Sequence, residues 1–398
     1  MGYNHSMKTQ SPKELFISGK NGRLPDNIGS LVSLEKLRID DCPKINKLPE
    51  SIGNLVSLKE LLICKINLQT LPESIGNLKS LEWLSIYDCD LHSLPESFGN
   101  LQSLKTLHIY GSKAKNLPES FGNLKALEVL SLTNMNSLKT LPACIGKLQA
   151  LKEFSIWASD LTIPEESLEG FHNLQELEIK STNNSLCIPA TISNMASLEK
   201  LTLSASGEEG LGVLTLPESF GTLKKLHYLC LTCNNLEEQA GCIGKLQTLK
   251  ILDINGRLLK TLPDSIGELS SLKTMWINTG IKEVPDFIRK LKSLEILKIA
   301  SYYEKINTIP DFIGELANLV SLSFYDSGIK EIPDAIGNLE KLRYLRVHGN
   351  LKDKRHSLLS RLKSLEHLEL INIETEERSQ EYIQGILLLH DRMYRYML

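Results

Sequence analysis

Aromatic residues are scarce in this chain of 398 residues, and long apolar runs are missing. Aromatics make up 6% of the sequence, while apolar residues together make up 41% and supply ample material for a core. No stretch approaches the roughly 18 consecutive apolar residues that a membrane span needs. The N-terminal sequence MGYNHSMKTQSPKELF also lacks the apolar region of a secretory signal. We therefore expect no membrane span and find no visible leader.

An excess of charge of one sign is missing too. The 45 Lys and Arg residues and the 48 Asp and Glu residues are interspersed, for a formal net charge of −3. Without a long basic tract, the chain lacks the electrostatic footprint of a nucleic-acid binder, so no nucleic-acid partner is expected. The eight cysteines are scattered rather than densely paired as in a small disulfide-stabilised domain. We expect a reducing, cytoplasmic compartment, or a host cytosol if the protein is a delivered effector.

The motifs of common enzymes and cofactor sites do not occur. There is no GxSxG, no HExxH, no phosphate-binding loop and no kinase signature. Four zinc-type ligands lie near one another in sequence, namely His227, Cys230, Cys233 and Cys242. His227 falls between buried leucines and Cys233 lies at a strand exit, so their side chains should diverge. We expect no catalytic residues, no metal site and no cofactor.

A period of 23 residues organises the chain. Pro49, Pro72, Pro95 and Pro118 lie 23 residues apart. The register continues, with small slips, at Pro25, Pro142, Pro164, Pro189, Pro217, Pro263, Pro285, Pro310 and Pro333. With the proline-free repeat QAGCIGKL and a degenerate unit that opens at His356, this gives fifteen units after a partial strand at residues 15–17.

The unit LPESIGNLKSLEWLSIYDCDLHS, residues 71–93, shows what the period encodes. Residues 81–86 alternate apolar and polar, which predicts a short half-buried strand. Pro72 begins a helical turn, and Ile75, Leu78 and Leu81 recur every three residues, as a 3₁₀-like turn requires. One unit cannot bury these side chains alone, whereas stacked units can. The sequence therefore predicts an α/β solenoid, a curved horseshoe with a parallel β-sheet on its concave face and short helical or 3₁₀ turns on its convex face.

The units resemble the 23-residue leucine-rich repeats of Ras-group proteins, which include Scribble-like animal scaffolds, plant intracellular proteins and many bacterial proteins. LPESIGNLVSLKEL and LPESFGNLQSLKTL match that pattern, and the unit around residues 37–43 resembles repeats of plant disease-resistance receptors. The resemblance covers about residues 13–370. The family usually has Asn five residues after the middle strand leucine, as at Asn234 and Asn350. Other residues take that position at Cys42, Ile66, Cys89, Ser112, Met135, Ser159 and Thr182. We therefore expect less regular turns in those units.

Three segments follow from this pattern. Residues 1–14 form an N-terminal segment, either partly a tag or disordered, and residues 15–373 form the solenoid of about 15–16 repeats. Apolar residues recur every three to four positions in SQEYIQGILLLHDRMYRYML, so we expect a C-terminal capping helix within residues 374–398. The period is broken at residues 165–174, 204–215 and 300–309, where we expect loops on one edge.

Aromatic side chains concentrate beside the strand leucines, where they should point into the concave face. These residues are Trp83, Tyr87, His108, Tyr110, Trp157, Tyr228, Trp276, Tyr325, Tyr344 and His348. They form one group over residues 83–157 and another over residues 228–348. Solvent-facing Trp and Tyr on a rigid surface are typical of protein-binding hot spots. We favour the first group because its units are the most regular.

The sequence therefore predicts a non-enzymatic scaffold that binds a partner protein on its concave face. The Ras-group resemblance implies a role in signalling, with a small GTPase or another signalling protein as partner. Three alternatives remain open: a bacterial effector or surface protein that binds a host target, a sensor region of a resistance-type receptor, and a carbohydrate-binding repeat protein.

Overall fold

The computed structural model describes residues 12–25, 27–182, 185–206, 212–238, 241–301, 305–349, 351 and 361–372. The C-terminal helix expected within residues 374–398, Asn350 and most of the N-terminal segment lie outside the described residues.

One parallel sheet of sixteen strands runs the length of the described chain, and its strand order follows the chain order. Its strands are β1 (Glu14–Ser18), β2 (Lys36–Asp40), β3 (Glu60–Cys64), β4 (Trp83–Tyr87), β5 (Thr106–Tyr110), β6 (Val129–Thr133), β7 (Glu153–Ala158), β8 (Glu176–Ser181), β10 (Lys200–Ala205), β12 (Tyr228–Cys233), β14 (Ile251–Gly256), β15 (Thr274–Thr279), β16 (Ile296–Ser301), β17 (Ser321–Tyr325), β18 (Tyr344–Gly349) and β19 (His367–Asn372). Register is kept from unit to unit, since Leu61 pairs with Leu84 and Leu84 with Leu107. The solenoid predicted from the 23-residue period is confirmed.

Short 3₁₀ turns form the opposite, convex face. They span Ile28–Ser30, Glu50–Asn54, Glu73–Asn77, Glu96–Asn100, Glu119–Asn123, Ala143–Lys147, Glu165–Ser167, Ala190–Asn194, Glu218–Thr222, Ile243–Lys245, Asp264–Glu268, Asp286–Lys290, Asp311–Glu315 and Asp334–Asn338. In one of them the Ile75 N–H donates to the Pro72 carbonyl at 3.0 Å, and the Leu78 N–H donates to the Ile75 carbonyl at 3.1 Å. Every helical segment in the described part of the chain is of this short type.

The core lies between the sheet and the turns. Ile75, Leu78, Leu81 and Leu84 are all fully buried, so each unit delivers its apolar set to the space between its neighbours. Burial of one aliphatic side chain stabilises a fold by about 1.5–3 kcal/mol, and the repeat supplies several per unit. The stability of the array therefore resides in contacts between adjacent units.

Five of the seven turns that were expected to be less regular share one backbone conformation, contrary to that expectation. After each of β2 to β6 one residue adopts a left-handed backbone: Asp41 (φ 51°), Lys65 (φ 50°), Asp88 (φ 49°), Gly111 (φ 75°) and Asn134 (φ 57°). The next side chain is buried in each case, whether it is Cys42, Ile66, Cys89, Ser112 or Met135. From β7 to β16 the sheet strands gain a sixth residue, which is small and buried: Ala158, Ser181, Ala205, Cys233, Gly256, Thr279 and Ser301. The residue just before the family's asparagine position is thus left-handed in the first set of units and small and buried in the second.

A second, three-stranded parallel sheet was not predicted. It comprises β9 (Ser185–Cys187), β11 (Val213–Leu216) and β13 (Asn235–Glu238), with β11 in the middle. The segment 204–215 was expected to form a loop, but Val213, Leu214 and Thr215 belong to β11, and Leu214 is fully buried. Residues 207–211 lie outside the described residues.

Carboxylates link successive turns on the convex face. Glu50 accepts a hydrogen bond from the Ser74 N–H at 3.1 Å, and Glu73 accepts one from the Ser97 N–H at 3.3 Å. Glu165 does the same more strongly, since its carboxylate accepts from the backbone N–H groups of residues 190 and 191, at 3.0 and 2.9 Å. The bond from the residue 191 N–H is the main reason why the pKa of Glu165 is lowered. The residues in this glutamate ladder satisfy donors that a 3₁₀ turn leaves open at its start.

Candidate functional site

The side chains that flank the buried strand leucines form three rows on the concave face. In β4 they are Trp83 in the first row, Ser85 in the central row and Tyr87 in the third row, on either side of buried Leu84 and Ile86. The register of the sheet places the corresponding residue of each neighbouring strand in the same row. The structure therefore brings residues that are about 23 positions apart into contact.

Four of the expected site residues form a contiguous surface on β4 and β5, here called the aromatic patch: Trp83, Tyr87, His108 and Tyr110. The Trp83 and His108 ring centroids lie 6.4 Å apart with an edge-on geometry, and those of Tyr87 and Tyr110 lie 6.5 Å apart. Tyr110 is 37% exposed, and the other three are half-buried. Partial burial lowers the pKa of His108 from its ordinary value of 6.5, so its ring is neutral at pH 7.

Two of the three rows around the aromatic patch contain no charged side chain. From β3 to β7 the central and third rows contain Leu62, Cys64, Ser85, Tyr87, His108, Tyr110, Ser131, Thr133, Ser155 and Trp157. Ion pairs bound this stretch at each end: Arg38 with Asp40 at 2.8 Å on β2, and Lys180 with Glu178 at 2.7 Å on β8. In the first row, Glu60 of β3 and Glu153 of β7 lie at its two ends.

Trp157 belongs to the same uncharged stretch but is not part of the aromatic patch. It lies on β7, two strands beyond Tyr110, and the Lys180 ammonium sits 3.9 Å from its ring centroid. Such a cation–π contact already occupies one face of the indole.

The second aromatic group is dispersed among charged residues. Tyr228, Trp276, Tyr325 and Tyr344 lie on four different strands, namely β12, β15, β17 and β18. The Lys298 ammonium lies 4.7 Å from the Trp276 ring centroid, and burial lowers the pKa of Lys298. Trp276 therefore lies beside a cation.

The end of this group is a hydrogen-bonded network. Arg346 donates to the Tyr325 hydroxyl at 2.8 Å and pairs with Glu369. His348 lies 5.3 Å from the Tyr325 ring and 3.1 Å from a Glu369 oxygen. It was expected on the binding surface, yet it is only 2% exposed, and burial lowers its pKa despite the carboxylate. His348 therefore supports its neighbours and does not present a contact surface. Tyr344, which is 39% exposed, stacks on His367 with centroids 5.0 Å apart.

The four zinc-type ligands do not converge. Cys230 occupies the central row of β12, whereas Cys233 ends the same strand three residues later and therefore points to the opposite side of the sheet. Burial raises the pKa of both thiols to about 12, which keeps them protonated. Across the described residues, no three His, Cys, Asp or Glu side chains are grouped as a metal site would require. Within the same ranges, no helix is long and apolar enough to cross a membrane.

Sequence reasoning missed a cleft of about 720 Å³ that lies next to the aromatic patch, along the segments that follow β2 to β5. We call it the polar cleft. The residues that line it are Asn46, Ile66, Asn67, Gln69, Asp88, Cys89, Asp90, Gly111 and Lys113. The sequence signal was Gly111, which has no side chain at a position where the units on either side have Asp88 and Asn134.

The comparisons with known proteins agree with this geometry. A family model described as "Leucine-rich repeat region" matches residues 14–93, 83–211 and 214–307. The chain therefore belongs to the leucine-rich repeat family. Proteins of this family are generally binding scaffolds rather than enzymes, and their partners are proteins or other ligands. No curated protein sequence matched the chain.

Solved structures show the same fold. A leucine-rich-repeat protein of Leptospira interrogans is 25% identical, with 87% of this chain and 92% of that chain covered and a TM-score of 0.60. An internalin of Listeria monocytogenes is 17% identical, with 86% and 87% covered and a TM-score of 0.55. The functional domain of InlJ from Listeria monocytogenes is 19% identical, with 86% and 69% covered and a TM-score of 0.59. The two Listeria likenesses concern the fold alone.

Proposed function

We propose that the chain is a non-enzymatic scaffold that binds a partner protein on its concave face, centred on the aromatic patch. The observation that carries this proposal is that the central and third rows of β3 to β7 contain no charged side chain, with four aromatic rings near their centre and ion pairs at their ends. The cores of protein interfaces are depleted of charge and enriched in Tyr and Trp, and their rims are polar.

The aromatic patch is also preorganised. Its side chains stand on paired strands, and each ring already contacts a ring of the adjacent strand, as in the pair of Tyr87 and Tyr110. Binding therefore immobilises few new rotamers, which would otherwise cost about 0.5–1.5 kcal/mol per side chain. The rings combine apolar area with polar atoms that a partner can bond.

The second aromatic group is the weaker candidate. A partner that docked on Trp276 or Tyr325 would have to desolvate Lys298 or Arg346, whose charges lie beside those rings. Desolvating charge without full compensation opposes binding. The rings of the aromatic patch lie against other rings instead, so docking on them does not require desolvation of a cation stacked on a ring.

For the partner, we favour a signalling protein, with a small GTPase as the first candidate, because the repeats resemble those of Ras-group proteins. A reducing cytoplasmic compartment suits eight cysteines that are all free, six of them buried. The likeness to the Leptospira protein extends over 87% of this chain and is to a bacterial protein. It therefore keeps the bacterial alternative, in which the repeats would bind a host target. Capture of the partner from a host lysate, but not from the source organism, would favour that alternative.

The test compares matched variants of the full chain. Partners are captured by affinity purification and identified by mass spectrometry, and the affinity of the purified partner is then measured. Replacing Trp83, Tyr87 and Tyr110 by Ala should weaken binding by several kcal/mol, since single hot-spot residues contribute about 2 kcal/mol or more. The comparison variant replaces Trp276 and Tyr325.

The convex control is Glu73→Gln, which keeps an oxygen acceptor for the Ser97 N–H and should leave affinity unchanged. Circular dichroism checks that the aromatic-patch variant keeps the fold, as expected for side chains that point away from the core. Full affinity in the aromatic-patch variant would contradict the proposal, and a loss confined to the Trp276 and Tyr325 variant would assign the site to the second group.

A further inference from the structure

The polar cleft has the chemistry of a small-ligand site. Its floor consists of Ile66 and Cys89, which are both buried, and its walls carry carboxylate, amide and ammonium groups. The volume of about 720 Å³ is within the range of pockets that hold small ligands. Every residue that lines it falls within the continuously described range 27–182.

Several polar groups in the cleft have unused hydrogen-bonding capacity. The side chains of Asn46, Gln69 and Asp88 make no hydrogen bond to any residue that the structure describes. The Asn67 amide nitrogen donates to the Pro43 carbonyl at 2.8 Å, which leaves the amide oxygen available. Amides and carboxylates that converge from three adjacent units offer both donors and acceptors to one ligand.

The ion pair in the cleft contributes in the same way. Lys113 contacts one Asp90 oxygen at 2.6 Å, so two ammonium hydrogens and the second carboxylate oxygen remain for a ligand. Taken together, Asp88, Asp90 and Lys113 give the cleft a formal charge of −1. That charge opposes the binding of anions.

An aromatic surface adjoins these polar groups. Tyr87 and Tyr110 directly precede Asp88 and Gly111, so their rings lie on the concave face next to the rim of the cleft. The electron-rich faces of aromatic rings attract C–H groups with partial positive charge. A sugar ring has such C–H groups on one face and hydroxyls around its edge.

We propose that the polar cleft binds a neutral oligosaccharide, with the sugar hydroxyls on Asp88, Asn67 and Gln69 and a sugar face on the adjoining tyrosines. This site goes beyond the proposed protein-binding function, because its ligand and most of its residues differ from those of the aromatic patch. The negative charge of the cleft selects neutral sugars over sialylated ones.

The first test measures whether the purified full chain binds sugars. A printed array presents lactose, maltotriose, chitotriose and sialyllactose attached to a surface. Calorimetry then titrates the same oligosaccharides free in solution. Comparing the two results shows whether the protein binds attached glycans, free oligosaccharides or both. The expected result is binding of at least one neutral oligosaccharide, with sialyllactose at least tenfold weaker than lactose if lactose is the ligand. No neutral sugar above background, or a preference for sialyllactose, would overturn the proposal.

Matched variants then assign the site. Asp88→Gly removes the carboxylate, and Gly111→Asn fills the cleft; each introduces a residue that another unit already has in the same left-handed position. Both should weaken sugar binding at least tenfold. Asp41→Gly makes the same change as Asp88→Gly at an exposed left-handed residue outside the cleft, and it should bind normally.

Sugar binding that survives both cleft variants would overturn the assignment, as would binding of a basic peptide such as hexa-arginine in place of sugars. Trp83→Ala separates the two proposals. It removes a residue of the aromatic patch that does not line the cleft, so it should weaken the protein partner and leave sugar binding unchanged.

Discussion

Gly99→Ala should destabilise the protein, although alanine is normally the better residue in a helical turn. Gly99 lies in the turn Glu96–Asn100, directly against the turn Glu119–Asn123 of the next unit. A β-carbon at this position would lie 2.6 Å from the Ser120 carbonyl carbon and 2.7 Å from the Ser120 β-carbon. Ordinary carbon–carbon contacts are about 3.5–4 Å, and neither of these atoms can rotate away.

The two turns would therefore have to separate by about 1 Å, since the clash is with fixed atoms. Separation would loosen the stacked pair of Phe98 and Phe121 beneath them, whose centroids are 5.9 Å apart. Overpacking of this kind costs about 1–3 kcal/mol. Gly99 is not left-handed, so without the clash the same substitution would stabilise the protein by about 0.4–1 kcal/mol. A loss of stability in Gly99→Ala therefore indicates that the two turns approach closely, and a gain indicates that they do not.

Thermal unfolding followed by circular dichroism, with hydrogen exchange to locate the damage, measures the change in stability. Asn100→Ala is the control, because Asn100 is exposed in the same turn and its replacement should change stability by less than about 0.5 kcal/mol. A melting temperature that is unchanged or raised in Gly99→Ala would refute the close approach of the two turns.

Two further predictions concern the core and the aromatic patch. Leu84→Ala should cost about 2–5 kcal/mol because Leu84 is fully buried, and hydrogen exchange should accelerate in β3 to β5 but not in β15 or β16. Uniform acceleration along the chain would contradict nearest-neighbour stability. Partial burial of His108 lowers its pKa below 6.5, so on acidification the unfolded chain takes up a proton that the folded chain does not. The melting temperature should therefore fall when the pH is lowered from 7.5 to 5.5. The fall should be smaller in His108→Gln. A His108 titration midpoint above 6.5, measured by NMR, would contradict this prediction.

The sequence predicted the solenoid well because its signals are local and repeated. Proline spacing locates the turns, and leucine alternation locates the strands, as at Leu84 and Ile86. The same regularity predicted that Trp83 and Tyr87 would lie on the concave face. It could not predict that they would contact His108 and Tyr110, because ring geometry depends on rotamers across two units.

Other features depended on more than the repeat pattern. The regularity of the turns after the strands was predicted from the residues at the asparagine position, such as Cys42 and Ile66. The turn conformation depends instead on the preceding residues, Asp41 and Lys65, which adopt positive φ. His348 was predicted to be exposed on the concave face. It is buried instead, because Tyr325 and Glu369 on the neighbouring strands enclose it. The polar cleft arises from a side chain that is missing at Gly111, and pattern analysis does not detect such a gap.

The glutamate ladder makes the array directional. Each carboxylate, such as that of Glu73, serves the start of the turn in the following unit, where Ser97 donates. Loss of units from the carboxyl end leaves behind an exposed carboxylate, which water solvates at little cost. Loss of units from the amino end strips a backbone N–H of its acceptor at the start of the next turn. A break between two units therefore exposes a carboxylate on one fragment and an open turn N–H on the other, and water can solvate both.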